Sequence, residues 1–257
     1  MTCACGTRAT AAQQPDVVDS LNQAFEFLGM PLLPQRFQDI CGVATMATQA
    51  VARAERANAL GHFNLDSDRS LPQAKRHRDA AVRMLRSFKA NLDDRMKSKP
   101  WHEALKVINS PDPRQGKPSE LLDELSASID DQLMSSSLSP AACQEIKRTV
   151  ASGIAVGKQG ISQTLALLGR SVEEFENQLL SGGIETRINN LSAGGPGEPN
   201  IVAHSVGEYF ACTAAATVVL IAATIACAYI PFCWCCIFPL LLAGFLAWIA
   251  ACENIPR

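Results

Sequence analysis

Apolar residues recur at helical spacing along most of the chain, and Gly, Pro and Ser mark where each run stops. Val17, Val18, Leu21, Phe25 and Leu28 lie three or four apart before Gly29 and Pro31, which predicts a short amphipathic helix from Pro15 to about Leu28. Phe37, Ile40, Ala44, Ala47, Val51 and Ala54 trace a narrow stripe and predict a second helix from Pro34 to Leu60, rich in alanine and suited to close packing. Ser70 and Pro72 open a third, with Ala81, Leu85, Phe88, Leu92 and Met96 as its buried face and Lys99-Pro100 as its end.

A helical turn from Trp101 to Ile108 leads into residues 110–118, where three prolines and one glycine cannot sustain regular structure. The stretch 109–118 is therefore the best internal boundary. Ser119 caps a helix through Met134, with Leu122, Leu125, Ile129 and Leu133 on one side, and Ser139-Pro140 restarts the chain as cap and first helical position. From Pro140 to Leu168 the pattern uses Cys143, Ile146, Val150, Ile154, Ile161, Leu165 and Leu168, but Gly153, Gly157 and Gly160 interrupt it. Each interior glycine costs a helix about 1 kcal/mol, so the three imply either a close helix crossing or a break. Ser171-Val172-Glu173-Glu174 has the form of a capping box, and its helix is expected to stop at Gly182-Gly183. No repeat and no extended alternation of apolar and polar positions is present, so strands should be few.

The pattern changes after residue 200. Between Glu208 and Glu253 lie 44 residues without a single Asp, Glu, Lys, Arg or His. A linker, 192–200, with three glycines and two prolines, precedes them. The expected fold class is all-α: a soluble helical domain followed by a C-terminal hydrophobic hairpin, transmembrane or re-entrant. The corresponding divisions are a flexible tail 1–14, a helical domain 15–191, the linker 192–200 and a membrane-inserting segment 201–257. Ala211 to Ile230 matches the roughly 20 residues a spanning helix needs, with Val218, Leu220 and Ile225 in its body. Phe232 to Ala251 is a second such stretch, carrying Trp234, Phe238, Leu241, Phe245 and Trp248 and broken by Pro239 and Gly244.

Charge is unevenly placed as well. Residues 1–118 hold 17 Lys/Arg against 12 Asp/Glu, and residues 119–200 hold 5 against 11. The third helix concentrates the basic part, with nine Lys/Arg against three Asp between Lys75 and Lys99. Lys75, Arg76, Arg78, Arg83, Arg86 and Lys89 are the candidates for contact with lipid headgroups or an acidic partner. The competing readings are a solvated outer face and pairing with the chain's own acidic half. The first residues lack an apolar run of the kind that forms a secretory signal, so the soluble part is expected in the cytoplasm, attached to a membrane.

Six of the ten cysteines lie in or beside the apolar segment. Cys212, Cys233, Cys235, Cys236 and Cys252 are open to three roles: small apolar filling, acylation at the membrane edge, or disulfides. A hairpin would bring Cys212 and Cys252 to the same end of two antiparallel helices. Cys41 and Cys143 fall in predicted helices as buried hydrophobes. No metal site is expected, because the apolar cysteines have no histidine nearby and Cys3-Ala-Cys5 stands alone. The four histidines form no i, i+4 pair, and no phosphate loop or nucleophile elbow occurs, so neither a cofactor nor an enzymatic reaction is expected.

Two function classes follow. One is a non-enzymatic membrane-anchored interaction protein, whose partners are the bilayer and either another protein or a second copy through the hairpin; nucleic acid is not expected. The other is a latent pore-forming or membrane-perturbing toxin, bacteriocin-like, whose hairpin is wrapped by amphipathic helices until release. Its architecture is similar to colicin-type pore domains, which also carry a hydrophobic helical hairpin near the C-terminus. The Gly-Gly pairs ending at Gly183 and Gly195 resemble the double-glycine cleavage sites of secreted bacterial peptides.

Overall fold

In the computed structural model the described residues are 17–64, 68–110, 117–135, 140–193 and 206–229. They are all-α, with no strand among them. Among the described residues nine helices follow one another: α1 (Val17–Phe27), α2 (Leu33–Ala59), α3 (Ser70–Arg95), α4 (Lys99–Ile108), α5 (Pro118–Ser135), α6 (Pro140–Gly157), α7 (Ile161–Ser181), α8 (Gly183–Ser192) and α9 (Val206–Cys227).

The helix ends have local causes. α1 closes with Gly29 N donating to Glu26 O at 2.9 Å and Met30 N to Phe25 O at 2.8 Å, the paired bonds of a Schellman motif, in which Gly29 takes the left-handed φ of 73°. The same pair closes α2, from Gly61 N to Asn58 O and from His62 N to Ala57 O. At the start of α4, Ser98 Oγ accepts from Trp101 N, and Pro100 sits where its missing N–H costs nothing.

Two expectations need correction in the middle of the chain. Ser171 does not begin a helix; it lies inside α7, which starts at Ile161. Ile161, Leu165, Leu168, Val172, Phe175 and Leu179 form one continuous buried stripe, and that tertiary burial overrides the local capping signal. The break falls instead at Gly160, whose φ of 125° is open to glycine. Secondly, Gly182-Gly183 is no more than a one-residue interruption. α8 follows at once, burying Ile184, Ile188 and Leu191 on one face.

The fold divides into two compact units. The first lies within Met1–Gln35, Asn91–Leu168 and Ala216–Ala247, the second within Arg36–Ala90, Gly169–Ala215 and Trp248–Arg257. Each takes residues from both sides of the stretch 192–200.

In the first unit α5 packs on α6. Lys147 pairs with Asp130 at 2.9 Å and Lys158 with Asp123 at 2.6 Å, so the two helices run in opposite directions. Their apolar faces meet through Leu122, Leu125, Ile129, Ile146, Val150 and Ile154, all buried. The second unit is built on the alanine stripe of α2, the apolar face of α3 and the stripes of α7 and α8. Phe37 and Phe88 meet there with ring centroids 5.8 Å apart and planes tilted at 57°, within the separation at which aromatic rings attract.

Candidate functional site

From Ala211 to its end at Cys227, α9 carries no charged residue on any side. Of residues 211–227 all but Ala214 are buried, including Ala211, Val218, Leu220 and Ile225. A helix without a polar face has to be enclosed, by protein or by lipid, and here protein encloses it. In the first unit the enclosure is close. A Cβ placed on Gly153 would lie 2.6 Å from Ile221 Cδ1, and one on Gly157 would lie 2.7 Å from Ile221 Cγ2 and 3.1 Å from Leu122 Cδ1. The glycines of α6 therefore serve a close crossing as well as the break that follows them.

Thr224 Oγ1 donates to Leu220 O one turn earlier at 2.9 Å, satisfying the hydroxyl within the helix. α9 ends at Cys227, where a span through Ile230 was expected, and Ala228 and Tyr229 complete its last turn. The buried run 211–227 is about 25 Å long at about 1.5 Å per residue, less than the roughly 30 Å of a hydrocarbon core. Among the described residues no helix is long and apolar enough to cross a membrane. Ile230, Trp234, Phe238, Leu241, Phe245 and Trp248 lie outside the described residues, as do Cys233, Cys235, Cys236, Cys252 and Gly195.

The basic helix is mostly engaged by its own chain. Arg86 Nε lies 2.7 Å from Glu176 Oε1 and Lys89 Nζ lies 3.3 Å from Glu173 Oε1. Arg78 pairs with Glu185 and, at 2.8 Å, with Asp79. Lys75 Nζ reaches Ser192 Oγ at 3.4 Å. As positions rise along α3 their partners fall along α7 and α8, so an acidic ladder faces a basic one in antiparallel order. Arg76 and Arg83 stay exposed; Arg76 Nε donates to Pro72 O.

One ion pair is more deeply set. Arg187 on α8 grips Glu55 on α2 through two parallel bonds from one edge of its guanidinium, Nε to Oε1 at 2.7 Å and Nη2 to Oε2, with side chains 9% and 21% exposed. Sequence reasoning missed this pair, because an isolated Glu in α2 and an isolated Arg some 130 positions later carry no shared signal.

The cysteines of the described residues divide into two states. Cys41 and Cys143 are not part of a disulfide. Cys212 and Cys227 are disulfide-bonded. Burial pushes the Cys41 thiol from its ordinary 9.0 up to about 12, only partly offset by a backbone hydrogen bond, and desolvation likewise raises Tyr229. No cluster of three or more His, Cys, Asp or Glu suited to a metal occurs among the described residues. A shallow cleft of about 270 Å³ in the second unit is lined by Arg36, Asp39, Ile40, Met84, Ser87 and Phe88, with no buried polar group aimed into it. Comparison with family models, curated proteins and solved structures finds no match to this chain.

Proposed function

We propose that this chain is a latent membrane-perturbing protein, pore-forming or bacteriocin-like and non-enzymatic, in which amphipathic helices store an apolar C-terminal segment for release at a target bilayer. The observation that carries the reading is α9: sixteen of the seventeen residues 211–227 are buried, and the charge-free sequence continues to Cys252. An ordinary core helix needs only one apolar stripe, because its other face meets polar neighbours or water. From Ala211 onward α9 is free of charge all round and satisfies the Thr224 hydroxyl internally, a condition a helix must meet in hydrocarbon.

On this reading Ala211, Val218, Leu220 and Ile225, followed by Ile230, Trp234, Phe238, Leu241, Phe245 and Trp248, form a hairpin that enters the bilayer. The partner is the bilayer itself, and no nucleic acid or cofactor is required. The test is dye release from liposomes by the purified full chain over a range of acid to neutral pH, with zwitterionic and anionic lipids. Leakage is expected under conditions that loosen the fold; intact vesicles at every pH and composition would overturn the reading.

The outward Arg76 and Arg83 favour a second reading, a membrane-anchored interaction protein on the cytoplasmic side whose α3 touches anionic headgroups. Carbonate extraction of membranes from cells expressing the full chain and a version ending at Asn200 separates the two. Retention of the full chain alone favours the anchor, and release of both favours the stored form.

A further inference from the structure

The cleft in the second unit shows which sides of α2 and α3 face outward together. Its rims are Arg36 and Asp39 on α2 and Met84 and Ser87 on α3, with Ile40 and Phe88 buried at its floor. Phe37, near the start of α2, meets Phe88, near the end of α3, so the two helices run antiparallel. Positions four or seven apart share one side of a helix, and each rim can be followed from the cleft toward the α2–α3 connection. From Asp39 the line on α2 runs through Met46 and Arg53 to Leu60, which stays in the last helical turn with its N–H donating to Arg56 O. From Ser87 the line on α3 runs back through Arg83 and Arg76 to Arg69, whose carbonyl accepts from Gln73 N. Every residue on the two lines is exposed, Met46 at 50% and Leu60 at 64%.

The two lines border one outer face, and its charge is one-sided. Arg53, Arg69, Arg76 and Arg83 lie on it, with Arg56 exposed one turn beyond Arg53; the single acid on either line, Asp39, sits at the cleft end. None of these arginines pairs with a carboxylate among the described residues. The other side of α3 does the reverse, since Arg78, Arg86 and Lys89 are taken up by Glu185, Glu176 and Glu173. The outward bases left without a countercharge are thus arginines, whose planar fork holds a phosphate through two parallel N–H bonds as a lysine ammonium cannot.

We propose that the outer α2–α3 face docks on the surface of an anionic bilayer, with Arg53, Arg56, Arg69, Arg76 and Arg83 at the lipid phosphates and Met46 and Leu60 in the apolar boundary beneath them. Interfacial helices combine these features, basic residues for the surface charge and apolar side chains for the acyl boundary. Met46 and Leu60 favour lipid over another polyanion, because a nucleic-acid backbone offers phosphates and no apolar medium. A folded acidic protein would need a hollow matched to Leu60, which stands at the end of α2 beside the exposed Gly61 and His62; a bilayer needs no matched shape. The inference extends the headgroup contact of the second reading from α3 to a face made by two helices, and it holds with α9 stored, since none of these residues belongs to α9. The attraction falls off within a Debye length, about 10 Å at 0.1 M salt, so docking is reversed by salt.

Sedimentation of the full chain with sucrose-loaded vesicles at neutral pH tests the proposal, using phosphatidylcholine alone and equal parts phosphatidylcholine and phosphatidylserine. The quantity read is the fraction bound at low salt and released by high salt. Salt-resistant retention and dye leakage report insertion and are scored apart, so docking and insertion fail independently. Binding is expected to the anionic vesicles alone. Replacing any one of the outward arginines by Gln should weaken it about fivefold, and R69Q/R76Q/R83Q together about a hundredfold. Leu60→Gln should weaken it about threefold, whereas Arg86→Gln and Lys89→Gln, on the ladder side, should leave it within about twofold. If the triple variant loses its helical circular dichroism, the single variants decide. Undiminished binding of the arginine variants, equal losses from Arg86→Gln and Arg76→Gln, or binding to poly-glutamate or duplex DNA as tight as to the anionic vesicles would each overturn the proposal.

Discussion

α3 and α9 differ in almost every local property, yet each carries a surface that sequence alone would send outward, to headgroups or to lipid. In the fold both turn mostly to their own chain, by different physics. α3 keeps its charge and meets Glu173, Glu176 and Glu185 in register, contacts that remain near water and contribute little each. From Ala211 onward α9 has no charge to pair and is held by exclusion of water and by close contact with Gly153 and Gly157. A charged face is thus held loosely by many exchangeable partners, and an apolar helix is held tightly by shape.

That contrast can be broken at graded strength. The largest effect is expected from Ile221→Ala, which empties the space over both α6 glycines; urea denaturation should show a loss of about 2–5 kcal/mol. A loss below about 1 kcal/mol would mean that α9 is not held by packing. Glu55→Gln leaves Arg187 deeply set without its countercharge, and a loss of about 3 kcal/mol is expected in the same assay. Gly157→Leu drives a side chain into Ile221 Cγ2, a methyl held on the branched Cβ that has little room to swing aside, and should cost about 1–3 kcal/mol.

Alkaline titration addresses the buried Cys41. The folded Cys41 thiol stays protonated from its ordinary 9.0 up to about 12, so in that window the unfolded chain binds fewer protons than the folded one and stability falls as pH rises. The contribution is fully present below pH 9 and lost toward 12, with a slope of at most about 1.4 kcal/mol per pH unit. Cys41→Ala should flatten that part of the wild-type curve. The smallest effect belongs to the ladder: Arg86→Gln should cost less than about 1 kcal/mol and vanish in high salt. A salt-insensitive loss as large as that of Ile221→Ala would erase the difference between the two helices.

Legibility followed the range of the interaction. Where the signal sits within one turn, as at Gly29, Gly61 and Ser98-Lys99-Pro100, helix ends fall close to their expected places. α8 was missed because its ten residues sit between two glycines and a linker, and its stripe of Ile184, Ile188 and Leu191 is too short to stand out from loop. The Ser171 capping box misled for the opposite reason: a correct local signal was outweighed by a buried stripe that runs straight through it.

By itself, the sequence determined that this chain is helical, where most helices begin and end, and that residues 209–252 cannot be left in water. Those properties depend on neighbours three or four positions apart, or on composition. Only the tertiary structure decided that the basic helix faces an acidic ladder from α7 and α8, that α6 glycines receive Ile221, and that Cys41 on α2 lies against Cys212 on α9. Each of these joins residues dozens to more than a hundred positions apart, and no periodicity along a chain encodes which two of its faces will meet.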